Sequence, residues 1–263
     1  MYFLGVDIGS SSSKAALVDG DGKPLAAQVI NLGAGSQAAD DAIAAVLEQA
    51  GVHRSQVNYT VATGYGRMIF RDAEEQVTEI TCHARAAATL LPGVRTVIDI
   101  GGQDAKVIRL NSSGGVVNFL MNEKCAAGTG RFLEVMARIL GCGIQELSGY
   151  AERSTESVTI SSTCTVFAES EVISQLASGK RREDVARGAH LSVAKRVAGL
   201  AGRVGVEDTV AMTGGVALNR DLVNALELEL GHKIQPLPNA QALGAIGAAL
   251  IARDRFRKWS GSG

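Results

Sequence analysis

The chain has 263 residues, 46% of them hydrophobic, with 26 basic against 27 acidic side chains and a formal charge of −1. That length lies at the upper end of what one core supports, so two lobes are as natural a reading as one domain. A near-neutral balance excludes the electrostatic footprint of a nucleic-acid or anionic-membrane binder, and no apolar run reaches the roughly 18 residues of a membrane span.

Residues 1–10, MYFLGVDIGS, enter an apolar strand without a basic leader, which is expected of a cytoplasmic protein. The turn GSSSSK follows, then a second strand AALVD and the hairpin turn GDGK. AADDAIAAVLEQAG reads as a helix closed by Gly51. NYTVATGYGR reads as a buried strand with a glycine turn, and TEITCHARAAATLL as a helix stopped by Pro92-Gly93. Residues 95–119 then repeat the opening. Asp99-Ile100-Gly101 answers Asp7-Ile8-Gly9, Lys106 answers Lys14 and Gly114 answers Gly22, all at an offset of 92 residues. Such a duplication predicts two related lobes.

Beyond the repeat come NEKCAAGTGRFLEVMA and SSTCTVFAESEVISQL, each placing a cysteine ahead of a helical pattern. A long helix is expected over about 183–204, then strand, glycine turn and helix in DTVAMTGGVALNRDLVNALELEL. NAQALGAIGAALIARDRFRK closes the chain as a small-residue helix, and KWSGSG reads as an appended tail. Alternating strands and helices whose repeats each open on a hairpin predict an α/β fold with mixed sheets. The lobes are read as 1–94 and 95–250, with helix 240–256 able to pack back on the first and 257–263 as tail.

Each repeat sets an aspartate at a strand end with glycine behind it, so that backbone N–H groups can cradle phosphate oxygens. Gly9, Ser10, Ser11, Ser12, Ser13 and Lys14 form the first candidate clamp, and Gly101 and Gly102 the second. Asp7 and Asp99, expected to face each other across a cleft, would hold Mg²⁺ through its waters. The turn Gly214-Gly215 offers a flat backbone to a base or ribose, and Gly128-Thr129-Gly130 is a third glycine loop entering a helix. Neither the P-loop pattern nor GxGxxG after the first strand is present, which excludes a P-loop fold and argues against a dinucleotide-binding unit.

DIGSSSSK, DIGGQDAK and TGGVALN resemble the phosphate and adenosine loops of the actin, hexokinase and Hsp70 ATPase superfamily, two-lobed proteins with duplicated ribonuclease H-like lobes. ATGYGR, VIDIGGQDAKVI and the two cysteine stretches are similar to the activators of 2-hydroxyacyl-CoA dehydratases, ATPases of the BadF/BadG/BcrA/BcrD type. The resemblance implies ATP and ADP binding, with Val216, Asn219 and Gln241 joining Gly214 and Gly215 around the nucleotide and Gln103 and Asp104 positioning the attacking water. It further implies a homodimer bridged by one [4Fe-4S] cluster, a ferredoxin or flavodoxin as electron donor, and a dehydratase as acceptor.

Of the four cysteines, Cys82, Cys125, Cys142 and Cys164, disulfide pairing is not expected in a cytoplasmic chain. A cubane needs about four thiolates. Cys125 and Cys142 stand 17 residues apart on one expected helix, roughly 25 Å if it is straight, too far to share a cluster. Cys82 beside His83 reads as core. Cys125 and Cys164 remain, two ligands that a twofold axis doubles. Zinc between the same four thiolates is the rival metal reading.

Other reductases of iron–sulfur enzymes, such as benzoyl-CoA reductase or a double-cubane protein, are the alternatives within the family. A small-molecule kinase and an assembly ATPase are the alternatives outside it. Glu169 and Glu171 read as first-turn glutamates rather than a catalytic acid pair, Arg67 as a structural loop arginine, and GKRRED at 179–184 as a solvated helix start.

Overall fold

The computed structural model describes residues 1–156, 158–161 and 164–260, so Ser162 and Thr163 of the second cysteine motif and the last three residues of the expected tail lie outside the described residues. In chain order the elements are β1 (Tyr2–Ile8), β2 (Ser13–Asp19), β3 (Pro24–Ile30), α1 (Ala38–Ala50), β4 (Val57–Thr63), β5 (Glu75–Gln76) and α2 (Glu79–Leu90). There follow β6 (Thr96–Ile100), β7 (Ala105–Leu110), β8 (Val116–Asn122), α3 (Gly130–Leu140), α4 (Leu147–Glu152), α5 (Thr165–Ala177) and α6 (Arg182–Val204). The chain closes with β9 (Val210–Thr213), α7 (Arg220–Leu230), β10 (Ile234–Pro236) and α8 (Leu243–Ser260).

Two five-stranded sheets form, ordered β3-β2-β1-β4-β5 and β8-β7-β6-β9-β10. The orders are the same once each strand is matched to its counterpart, so the duplication extends from the opening hairpins to all five strands. Each central strand, β1 and β6, pairs antiparallel with its hairpin neighbour and parallel with the strand returning from a helical crossover. Mixed sheets are therefore observed, as the hairpins predict.

The chain divides into two compact units, one of Met1–Val94, Leu110–Val116 and Leu237–Gly263, the other of Arg95–Arg109 and Val117–Pro236. The stretch from Leu237 onward thus groups with the first unit, not with the residues that precede it. The reason lies in its composition. Every residue of α8 from Leu243 to Ala252 is buried, and the glycines and alanines let neighbouring backbone approach closely. A Cβ on Gly5 of β1 would collide with the Ala245 carbonyl, and one on Gly247 with the backbone of Cys82 in α2. α8 also runs on to Ser260, with the Phe256 ring 5.5 Å from Phe3 and 6.0 Å from Trp259, so Arg257 to Ser260 are helix rather than tail.

Local signals account for the helix ends. α1 closes on Gly51 and α3 on Gly141, both left-handed, and α2 opens on Thr78, whose side chain accepts the Thr81 N–H.

Candidate functional site

In the first unit the register of β1 sets Asp7 opposite Lys14 on one side and beside Thr63 on the other. Lys14 Nζ lies 3.3 Å from Asp7 Oδ2. The serine turn is closed by the Gly9 N–H donating to the Ser12 carbonyl at 3.0 Å. Ser10 and Ser11 are exposed, Ser12 half-buried and Ser13 buried. Arg67 donates to the Gly64 carbonyl at 3.0 Å, the structural role its loop suggests.

The second unit repeats this arrangement. Asp99 sits opposite Lys106 and beside Thr213. The Gly101 N–H closes the turn on the Asp104 carbonyl at 2.9 Å. Lys106 Nζ lies 3.2 Å from Asp99 Oδ2 and 2.7 Å from Asp104 Oδ1, and Thr213 Oγ1 donates to Asp99 Oδ1 at 2.6 Å. Asp104 is therefore engaged by a lysine, while Gln103 is exposed and Gly102 half-buried. The correspondence of Thr63-Gly64 with Thr213-Gly214 is hidden from the sequence repeat. Its signal, a Thr-Gly after an apolar strand, is present, but helices α3 to α6 lie ahead of β9 and break the 92-residue offset.

The loop Gly128-Thr129-Gly130 is bonded to the second glycine turn. The N–H groups of Gly130 and Arg131, which a phosphate cradle would leave free, donate to the Gly101 and Gly102 carbonyls, each at 2.8 Å. Thr129 is the N-cap residue of α3, fully buried, with its hydroxyl on the Ala126 carbonyl. This loop splices the start of α3 to the second turn.

Around the other glycine turn, Gly214 adopts φ +84° and Gly215 opens a 3-10 turn reaching Leu218. Val216 is buried. Asn219 caps α7 through the Leu222 N–H at 3.0 Å, and its amide meets His190 Nε2 at 3.0 Å, so its side chain is committed within the protein. His190, fully buried, meets Asp221 through Nδ1 at 2.6 Å, and Arg187 holds the other Asp221 oxygen at 2.6 Å. With the amide donating to Nε2, the ring proton belongs on Nδ1 facing Asp221. This network anchors the turn and is not legible in the sequence. Gln241 belongs to a 3-10 turn, Ala240–Ala242, of the first unit.

The four thiols divide cleanly. Cys125 and Cys164 are exposed, Cys142 is half-buried and Cys82 is buried. Burial pushes the Cys82 thiol up to about 12, and burial also raises Cys142, whose Sγ sits 3.6 Å from the Ala137 carbonyl. Cys164 is the N-cap residue of α5, as expected. Cys125 is not at a helix mouth, because α3 begins only at Gly130; its carbonyl accepts the Asn122 amide at 3.0 Å. Nor does one helix carry both Cys125 and Cys142, since α3 ends at Leu140, so it is burial rather than helix length that sets Cys142 apart. Cys125 lines an open cleft of ≈440 Å³ together with Asn122, Gly128, Arg196 and Arg203. Glu171 accepts the Ser161 N–H and hydroxyl and Glu169 lies 3.5 Å from Arg138, one turn beyond the first-turn position.

Two related lobes, each with an Asp–Lys strand pair and a glycine turn, define the class: a two-lobed ATPase of the actin, hexokinase and Hsp70 type. A ROK family glucokinase from Streptomyces griseus, 13% identical with 97% of this chain and 100% of that chain covered, shares the fold at a TM-score of 0.59. The chain belongs to the BadF/BadG/BcrA/BcrD ATPase family, whose model matches residues 4–252. It is 52% identical to the activator of lactoyl-CoA dehydratase of Anaerotignum propionicum, over 98% of this chain and 100% of that one. It is 49% identical to the (R)-2-hydroxyglutaryl-CoA dehydratase activating ATPase of Acidaminococcus fermentans, over 98% and 99%. The activator of the 2-hydroxyisocaproyl-CoA dehydratase from Clostridium difficile, solved with bound ADPNP, superposes at a TM-score of 0.96 with 45% identity, covering 100% of this chain and 98% of that one.

Proposed function

We propose that the protein couples ATP hydrolysis to one-electron transfer and activates a 2-hydroxyacyl-CoA dehydratase, working as a cytoplasmic homodimer that holds one [4Fe-4S] cluster between its chains. The observation that carries this reading is the division of the thiols in a chain so like named dehydratase activators: two exposed, two withdrawn.

The donor set fits the cluster as half a site. Thiolates are the soft ligands iron–sulfur clusters take, about four are needed, and Cys125 and Cys164 are the two exposed cysteines. No group of three or more His, Cys, Asp or Glu is gathered for a metal among the described residues, so a second copy would complete the set with the same pair. Burial pushes the Cys82 thiol up to about 12 and raises that of Cys142. Bound there, the cluster supplies reversible one-electron storage, filled from a ferredoxin or flavodoxin.

The chain's own residues do the rest. Asp7 and Asp99, each beside a lysine at the end of a central strand, would hold the waters of the nucleotide's Mg²⁺. The turns at Gly9 and Gly101 would seat ATP phosphates, and the Gly214-Gly215 turn its adenosine. Because the Gly130 and Arg131 N–H groups are bonded to Gly101 and Gly102, movement of that turn on loss of the γ-phosphate would pull on the Cys125 loop. In this way hydrolysis would reach the electron site.

Anaerobic protein supplied with ATP, a low-potential reductant and a dehydratase should release phosphate and reduce the dehydratase together. Asp7→Ala and Asp99→Ala should abolish phosphate release yet retain iron. A phosphorylated metabolite accumulating one-for-one with ADP would overturn this reading in favour of a kinase.

A further inference from the structure

We propose that Thr213 and Lys106 are positioning residues for ATP hydrolysis, together fixing both oxygens of Asp99 so that this carboxylate meets the nucleotide's hydrated metal in one orientation. The inference rests on the reading of Asp99 as a nucleotide-site aspartate.

Sheet register creates the clamp. Asp99 has Lys106 as its antiparallel partner and Thr213 as its parallel partner, so backbone pairing alone delivers a cation to one side and a hydroxyl to the other. The Thr213 hydroxyl holds Oδ1 at 2.6 Å and the Lys106 ammonium stands 3.2 Å from Oδ2. Gly214, next in the chain, shapes the same wall: a Cβ there would stand 3.0 Å from Asp99 Oδ1 and clash with the Ile100 carbonyl.

Burial distinguishes this pair from its counterpart. The Lys106 and Asp99 side chains are 5% and 3% exposed, against 15% and 10% for Lys14 and Asp7. A buried ion pair adds little net stability over an apolar pair of the same volume, because desolvation offsets the attraction. What it does supply is a fixed direction for the carboxylate. Lys106 also reaches Asp104 Oδ1 at 2.7 Å, tying the orientation of Asp99 to the turn that begins at Gly101.

Removing the Thr213 hydroxyl should therefore slow hydrolysis without weakening nucleotide binding. Thr213→Ser keeps the hydroxyl and Thr213→Ala loses it, while both lose the methyl group, so their difference isolates the hydrogen bond. We expect the alanine variant to turn over ATP roughly 10- to 100-fold more slowly than the serine variant, the usual range for outer-shell partners. Nucleotide affinity, by titration with a fluorescent ATP analogue, should match between the two, while the alanine variant melts lower because a buried carboxylate oxygen loses its donor. Lys106→Met should show the same loss of kcat with affinity kept. Equal kcat for the serine and alanine variants, with Asp99→Asn inactive, would overturn the positioning role and leave the ATPase reading intact. Parental hydrolysis by Asp99→Asn would instead remove the reading on which the inference rests.

Discussion

At the scale of single residues, the four cysteines carry identical chemistry and differ only in surroundings. A thiol is reactive in proportion to its thiolate fraction and its access to solvent. In metal-free protein at pH 8, iodoacetamide should modify Cys125 and Cys164 and leave Cys82 untouched until denaturant is added, as peptide mass spectrometry would record. Early labelling of Cys82 would contradict its burial and its thiol at about 12. Asp184 gives a second test. Its carboxylate accepts the N–H groups of Glu156 and Thr155, at 3.1 and 2.8 Å, and these bonds hold its pKa below the usual value. A depressed folded value adds stability that is complete above the unfolded carboxyl range, about pH 4, and is lost as pH falls through the folded value. Asp184→Asn should thus melt below the parent at pH 7, with the gap closing in acid.

At the scale of elements, α8 depends on small residues more than on any large anchor. Its glycines set the distance to α2 and β1, so added volume acts on backbone instead of on yielding side chains. Gly247→Ala would drive a methyl group into the Cys82 carbonyl and should cost about 1–3 kcal/mol, the range for overpacking, read as a lower urea midpoint. An unchanged midpoint would show that α8 shifts freely along its sheet.

At the scale of the whole molecule, the cluster reading predicts stoichiometry. Two chains with two exposed thiols each should carry about four irons per dimer, one cubane. Cys125→Ser and Cys164→Ala should each lose the iron and weaken the dimer, since metal binding is linked to assembly, while Cys142→Ser and Cys82→Ser keep it. Val166 and Phe167, 67% and 69% exposed just after Cys164, leave apolar surface for the second chain to cover. Four irons per monomer would defeat the bridging model.

Much of this architecture is legible in the amino-acid sequence. The duplicated Asp-Ile-Gly stretches, the hairpins, the ends of α1 and α2 and the glycine turn after β9 are all local patterns, governed by strand alternation, capping and left-handed glycine, which act within a few residues of chain. Other features are not. That Gly130 and Arg131 spend their N–H groups on the second turn, that Asn219 is bound to His190, and that Thr213 holds Asp99 all join residues far apart in the chain. A sequence supplies donors and acceptors but not their partners. Only packing decides which of them meet, because burial makes every unpaired polar group costly and selects the arrangement that satisfies them together.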